Sequence, residues 1–289
     1  MNERHNVPSD ASTPVALLQR VIGFARATHF GPTLVVTAAT TALAIAAGRG
    51  AGSAWVFAAV LAGQCAVGWS NDAIDADRDQ KVRRSSKPVV AGLVTQRELI
   101  IAAITAFGCS RPLSFASCWR AALVHLVAII SAVCYNLWLK STWVSWLPYA
   151  LSFGLLPAFV TLGLPSRQWP QPLVMVATAL LGVGAHMVNA AADLDDDAAT
   201  GIKGLPQRLG ARRALELGSG FLLAAAVLVG LHSKRHGVAF GLVAIIALVD
   251  LGVVVAGAKQ RPRLAWNLAM AGAAGCLAVF IAGGGGLVQ

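Results

Sequence analysis

The stretch Asn71-Asp72-Ala73-Ile74-Asp75-Ala76-Asp77-Arg78-Asp79 follows directly on Ala54–Ser70, a run of apolar and small residues without one charge. A carboxylate cluster at the end of such a run is the sequence feature on which the fold turns. Moving out from it, similar apolar runs recur along the chain, at Gly31–Ala47, Leu99–Ser117, Ala121–Leu139, Trp146–Leu164, Leu173–Ala192, Ala214–Leu231, Val238–Ala258 and Leu264–Ala282. A membrane-crossing helix needs about 20 mostly apolar residues. The nine runs therefore predict an all-α, polytopic membrane helical bundle of about nine transmembrane helices. The third run is the weakest, because Arg111-Pro112 interrupts it.

Composition agrees. Of 289 residues, 56% are hydrophobic and only 12% are charged, where a soluble domain carries roughly 25% charged. That excludes a soluble fold. The net charge of +10 does not indicate nucleic acid, since the basic residues lie in short loops between apolar runs with no nucleic-acid motif beside them. With the N-terminus inside, 17 of the 23 Lys and Arg fall in inside segments and six outside, the bias expected of a membrane protein. This orientation predicts an integral protein of the plasma (inner) membrane, with both of its most polar loops, 71–98 and 193–213, in the cytoplasm. The chain reads as one membrane domain over 1–289, preceded within it by a cytoplasmic or interfacial segment, 1–30. That segment lacks the apolar core of a cleaved signal peptide. Residues Val15 to Ala25 suggest a short amphipathic helix with Leu18, Ile22 and Phe24 toward lipid. The five cysteines show no metal or disulfide spacing and read as small buried hydrophobes.

Eight of the 13 acidic residues fall in two clusters. The second is Asn189-Ala190-Ala191-Ala192-Asp193-Leu194-Asp195-Asp196-Asp197. Both contain N-x-x-x-D-x-x-x-D, 118 positions apart. On a helix, residues four apart share a face, so Asn71, Asp75 and Asp79 line one stripe with Asp72 close by, and Asn189, Asp193 and Asp197 are expected to line another. Asp77 and Asp195 point elsewhere, and Asp196 lies near the second stripe. Stacked carboxylates repel, and ionisable groups at membrane depth are costly and usually functional. A hard divalent cation removes the repulsion. Oxygen-only donors suit Mg²⁺, which takes one or two carboxylates together with substrate phosphate oxygens. The candidate metal ligands are thus Asn71, Asp72, Asp75, Asp79, Asn189, Asp193 and Asp197.

A diphosphate held there also needs cations. Each cluster is followed by basic residues in a Gly/Pro turn, Arg83-Arg84-Ser85-Ser86-Lys87-Pro88 and Gly201-Ile202-Lys203-Gly204-Leu205-Pro206. Lys87 and Lys203 are the leading candidates, with Arg84 beside them. Tyr135 and Lys140, at the end of the fourth run, face the same cavity if that helix packs beside the second and sixth. Arg26 and His29 open the first run. Asn71 and Asn189 are further candidates for the diphosphate. His186, one turn before Asn189, and His125 read as packing histidines.

At these residues the chain resembles the UbiA superfamily of intramembrane prenyltransferases. The resemblance is carried by Asn71-Asp72-x-x-Asp75-x-x-x-Asp79 with its trailing Lys87-Pro88 and Gly92, by Asp193-x-x-x-Asp197-x-x-x-Gly201 with Leu205-Pro206, and by Tyr135…Lys140. It implies a helical bundle around a central cavity, with Mg²⁺ and a prenyl diphosphate at its cytoplasmic cap. It further implies an allylic cation that alkylates an acceptor, often an aromatic ring, with Asp72, Asp75 and Asp193 as the catalytic carboxylates. A membrane terpene cyclase fits the same motifs, and a cation transporter is the non-enzyme alternative. The second motif is more acidic than the resemblance requires. Neither acceptor nor prenyl chain length is readable from these residues.

Overall fold

The computed structural model describes residues 14–284 and 286–288, without the side chains of Pro14, Asp195 and Asp196. Residues 1–13 of the predicted 1–30 segment, and the side chain of Asp196, therefore lie outside the described residues. All regular structure among the described residues is helical. In chain order the helices are α1 (Pro14–Ala27), α2 (Phe30–Ala46), α3 (Gly52–Lys81), α4 (Gln96–Phe115), α5 (Trp119–Leu137), α6 (Leu147–Leu162), α7 (Pro172–Ala191), α8 (Leu194–Ala199), α9 (Leu205–Leu209), α10 (Ala211–His232), α11 (His236–Ala258) and α12 (Pro262–Gly283).

Every predicted apolar run forms a helix. Seven of them are long and apolar enough to cross a membrane, and the pair α1–α2, bent by 63°, makes an eighth. The predicted nine is thus approximate. The shortfall lies in α6, whose 16 residues rise about 24 Å against a hydrocarbon core of about 30 Å. Arg111-Pro112 does not interrupt α4, which runs on to Phe115. Pro112 sits in its last turn, where its missing N–H removes a single helix hydrogen bond. A capping box, Thr95 with Glu98, starts that helix, and Arg20 of α1 pairs with the same Glu98.

The helices follow one another around the bundle. Helix α2 packs on α3, α3 on α5, α5 on α6, α6 on α7 and α7 on α10, while α12 closes the ring by touching α10, α7 and α2. Helices α4 and α11 stand outside this ring, against α3 and α12. Helix α7 packs closely on α10. A Cβ added to Gly184 would lie 2.8 Å from the Gly218 carbonyl oxygen, so the two backbones meet through paired glycines, a close approach typical of helices in membranes. On the outside, Ile245, Leu248 and Leu251 of α11 are 58–70% exposed. Such a face suits lipid and would not be left open in water.

Between α2, α6, α7, α10 and α12 lies an apolar cavity open at one side, lined by Val36, Leu43, Phe153, Leu156, Met270 and Phe280 among others. Two features put chemistry above it. Helix α3 has 30 residues and rises about 45 Å, so it outruns the hydrocarbon by about 15 Å and carries Asn71–Asp79 beyond it. Helix α1 bends away from α2 and packs on α3. Phe24 does not face lipid, as the amphipathic pattern suggests, but meets Trp69 edge-on at 5.7 Å, and the Trp69 indole N–H donates to the Phe24 carbonyl at 2.9 Å. Leu18 and Ile22 remain exposed.

Candidate active site

The first cluster stays helical to Lys81, so its carboxylates keep the predicted stripe. Asp72 and Asp79 are 3% and 4% exposed, deep burial for ionised groups, and each is matched by a cation. The Lys87 ammonium lies 2.7 Å from Asp72, and His29 approaches the same oxygen at 3.0 Å. Arg84 stands 3.6 Å from Asp79. Asp75 is paired with both Arg78 and Lys140. Asn71 sits 3.4 Å from Asp72. Asp77 is exposed, as the periodicity predicts.

The second cluster behaves differently. Helix α7 ends at Ala191, Asp193 takes a non-helical backbone (φ −114°, ψ 12°), and α8 restarts at Leu194. The expected continuous stripe Asn189–Asp193–Asp197 is therefore broken. Four carboxylates in five residues oppose helix continuation by like-charge repulsion, and the break is where they begin. Asn189 is left exposed on the last turn of α7. Asp193 turns to Arg84, 2.7 Å away, and Asp197 accepts from the Gln207 side-chain amide at 2.7 Å. Arg84 thereby lies between Asp79 and Asp193, joining clusters more than a hundred residues apart. Asp75, Arg78, Asp79, Arg84, Asp197 and Thr200 line one small pocket where the two clusters meet.

Among the described residues, no three Asp, Glu, His or Cys side chains converge tightly enough to hold a metal by themselves. This donor set still fits Mg²⁺. The groups are all oxygen donors, they approach from two sides of one pocket, and Mg²⁺ completes its octahedron with water and phosphate oxygens rather than with an all-protein cage. Burial sets the charge balance around the pocket. Burial pushes the Asp197 carboxyl up from the ordinary range, against the opposing hydrogen bond from Gln207. Burial likewise pulls the Lys140 ammonium down, while its pairing with Asp75 works the other way.

The remaining predicted residues divide. Lys140, in a turn after α5, reaches Asp75, so α5 does bring it to the site. Lys203 is exposed, next in the chain to Ile202 of the pocket wall, and its carbonyl accepts from Arg208 Nε at 2.7 Å. Arg26 donates to the Ser86 carbonyl at 2.8 Å and braces the first loop. Tyr135 packs edge-on to Tyr149 at 5.0 Å, with His186 at 5.5 Å. Tyr149 in turn stacks on Phe153 at 6.4 Å, and Phe153 lines the apolar cavity. An aromatic file thus descends from the charged end of the bundle to the cavity below it.

Three site contacts escape sequence reasoning. His29, seen there only as opening a run, reaches Asp72 from a left-handed backbone (φ 55°) at the α1–α2 bend. Arg78 and Gln207 also touch site carboxylates. For Arg78, its position three residues after Asp75 was an available signal; for Gln207 there was none.

The description of the UbiA prenyltransferase family matches residues 33–282. No curated protein sequence matches the chain. Among solved structures, a UbiA homolog from Aeropyrum pernix K1 is 21% identical, with a TM-score of 0.71, over 86% of this chain and 97% of its own. A UbiA homolog from Archaeoglobus fulgidus bound to GPP and Mg²⁺ is 17% identical, with a TM-score of 0.65, over 89% and 99%. The same homolog bound to DMAPP and Mg²⁺ gives 17% and 0.64 over the same shares.

Proposed function

Because this chain belongs to the UbiA prenyltransferase family, we propose that it transfers a prenyl group from a prenyl diphosphate to an acceptor, an aromatic ring. The observation that carries this reading is the meeting of two aspartate clusters and their cations in one pocket above an apolar cavity. The structures of relatives with GPP or DMAPP and Mg²⁺ support it.

Asn71, Asp72, Asp75, Asp79, Asn189, Asp193 and Asp197 would hold Mg²⁺, directly or through water, with Asp72, Asp75 and Asp193 the catalytic carboxylates. Bound there, Mg²⁺ neutralises charge that develops on the leaving diphosphate. Lys87, Lys140, Lys203 and Arg84 bind the diphosphate oxygens, with Arg26 and Tyr135 at its margins. As the allylic carbon–oxygen bond breaks, these fixed cations stabilise the departing oxygens. The electron-rich faces of Tyr135 and Tyr149 stabilise the allylic cation. The apolar walls keep water from it, so that the acceptor carbon forms the new bond and then loses a proton. The prenyl tail occupies the apolar cavity. The charged end faces the cytoplasm of a plasma membrane, the side that the Lys and Arg bias favours.

The test is Mg²⁺-dependent release of pyrophosphate by purified protein. Prenyl diphosphates of several lengths are supplied, with and without a panel of aromatic acceptors. Release that requires an acceptor is the expected result. Release without one makes the protein a cyclase or a hydrolase, which product analysis separates. No release from folded protein rejects the reading.

A further inference from the structure

Gln207 has no equivalent beside the first cluster and no part in the reading above. Its side-chain amide lies 2.7 Å from Asp197 Oδ2. A carboxylate only accepts, so the NH₂ must face Asp197 and the orientation of the amide is settled. The amide oxygen is then turned inward, where it is buried without a hydrogen-bond partner among the described residues. An exposed glutamine would turn that oxygen to water. Leaving it unpaired costs free energy, so this side chain is held for what its other end does.

The seat that holds it is built of neutral groups. A Cβ on Gly204 would lie 2.7 Å from the Gln207 amide oxygen, 2.6 Å from the Lys140 carbonyl oxygen and 3.0 Å from Ser145 Oγ. Only glycine lets the chain pass so close. The next residue, Leu205, donates its backbone N–H to Ser145 Oγ at 3.0 Å. Ser145 is fully buried and stands 3.1 Å from His186 Nε2 on α7. The start of α9 is thus pinned to α7 and to the turn that carries Lys140, and Gln207 projects from it to Asp197.

Asp197 needs such a support. It lies on a six-residue helix beyond the break between α7 and α8, so no long helix aims it as α3 aims Asp75 and Asp79. We infer that Gln207 is a positioning residue for metal binding, its amide fixing one oxygen of Asp197 so that the carboxylate is presented to the pocket shared with Asp75 and Asp79. The inference rests on the metal–diphosphate reading of that pocket. Outer groups that orient a ligand typically change metal affinity by about 10- to 100-fold when removed.

The experiment titrates full-length protein in detergent with Mn²⁺ in the presence of inorganic pyrophosphate, read by electron paramagnetic resonance. Gln207→Met keeps the length of the side chain and removes its donor. The expected result is an Mn²⁺ dissociation constant raised about 10-fold, with the melting temperature of the metal-free protein unchanged. In an Asp197→Asn background the same substitution should add nothing, because Gln207 acts through Asp197 alone. Should Gln207→Met not fold, Gln207→Asn withdraws the amide from reach by one methylene and is read the same way. Wild-type affinity in the variant, or effects that multiply in the double variant, overturns the inference and leaves the reading of the pocket intact. A wild-type protein that binds no Mn²⁺ with pyrophosphate rejects both.

Discussion

The two aspartate clusters share one spacing but are built in different ways. The first rides on α3, a single 30-residue helix, and its carboxylates are aimed by helix geometry. The second follows a break after α7 and sits on a short helix whose direction comes from contacts made elsewhere: Arg84 on Asp193 and Gln207 on Asp197. Identical spacing therefore does not mean identical support. A continuous helix can hold its ligands with little help, whereas a broken one depends on the groups that tie it down.

The comparison can be broken most sharply at Asp75, which lines the shared pocket and pairs with Lys140. Asp75→Ala should lower kcat by on the order of 10³-fold while the protein still inserts. Turnover near wild type in a pyrophosphate-release assay would remove the first cluster from the chemistry. Next comes Arg84, the residue that touches both clusters. Arg84→Ala should cost about 10- to 100-fold in kcat/KM for the prenyl diphosphate, the loss of one hydrogen bond between charged groups. An effect confined to Mg²⁺ affinity with unchanged KM would make it a brace for the carboxylates alone.

Gly204→Ala tests the tie-down of the second cluster directly. The added methyl group meets the Lys140 carbonyl oxygen at 2.6 Å, and overpacking of this kind costs about 1–3 kcal/mol, measurable as a lower melting temperature. Lys140 gives a pH test. Burial lowers its pKa, so its charge, and with it activity, is lost at a lower pH than for a free lysine as pH rises. Lys140→Arg retains charge at every accessible pH, so the alkaline limb of the kcat profile should move upward. The smallest expected effect is at the asparagines. Asn189 is exposed beyond a helix that ends, whereas Asn71 adjoins Asp72, so Asn189→Ala should cost less activity than Asn71→Ala. The reverse order would show that the broken cluster is straightened when substrate binds.

Much of this architecture was legible. The apolar runs became helices because, in lipid, a backbone satisfies its hydrogen bonds within one segment. The stripe of Asn71, Asp75 and Asp79, with Asp72 close by, followed from helical period. Phe24 was misread because amphipathic spacing shows that a face is apolar and does not say what covers it; Trp69 does. The stripe at Asn189–Asp197 failed because spacing alone assumes an unbroken helix.

The sequence by itself determined a membrane bundle of the UbiA family type and the residues worth watching. Both follow from local chemistry, namely hydropathy over about 20 residues and charge at fixed helical spacing. Only the tertiary structure decided that Arg84 lies between the two clusters, that His29 reaches Asp72, and that Gln207 holds Asp197. Those contacts join residues far apart in the chain, and such pairs are set by how helices pack and where loops fold back.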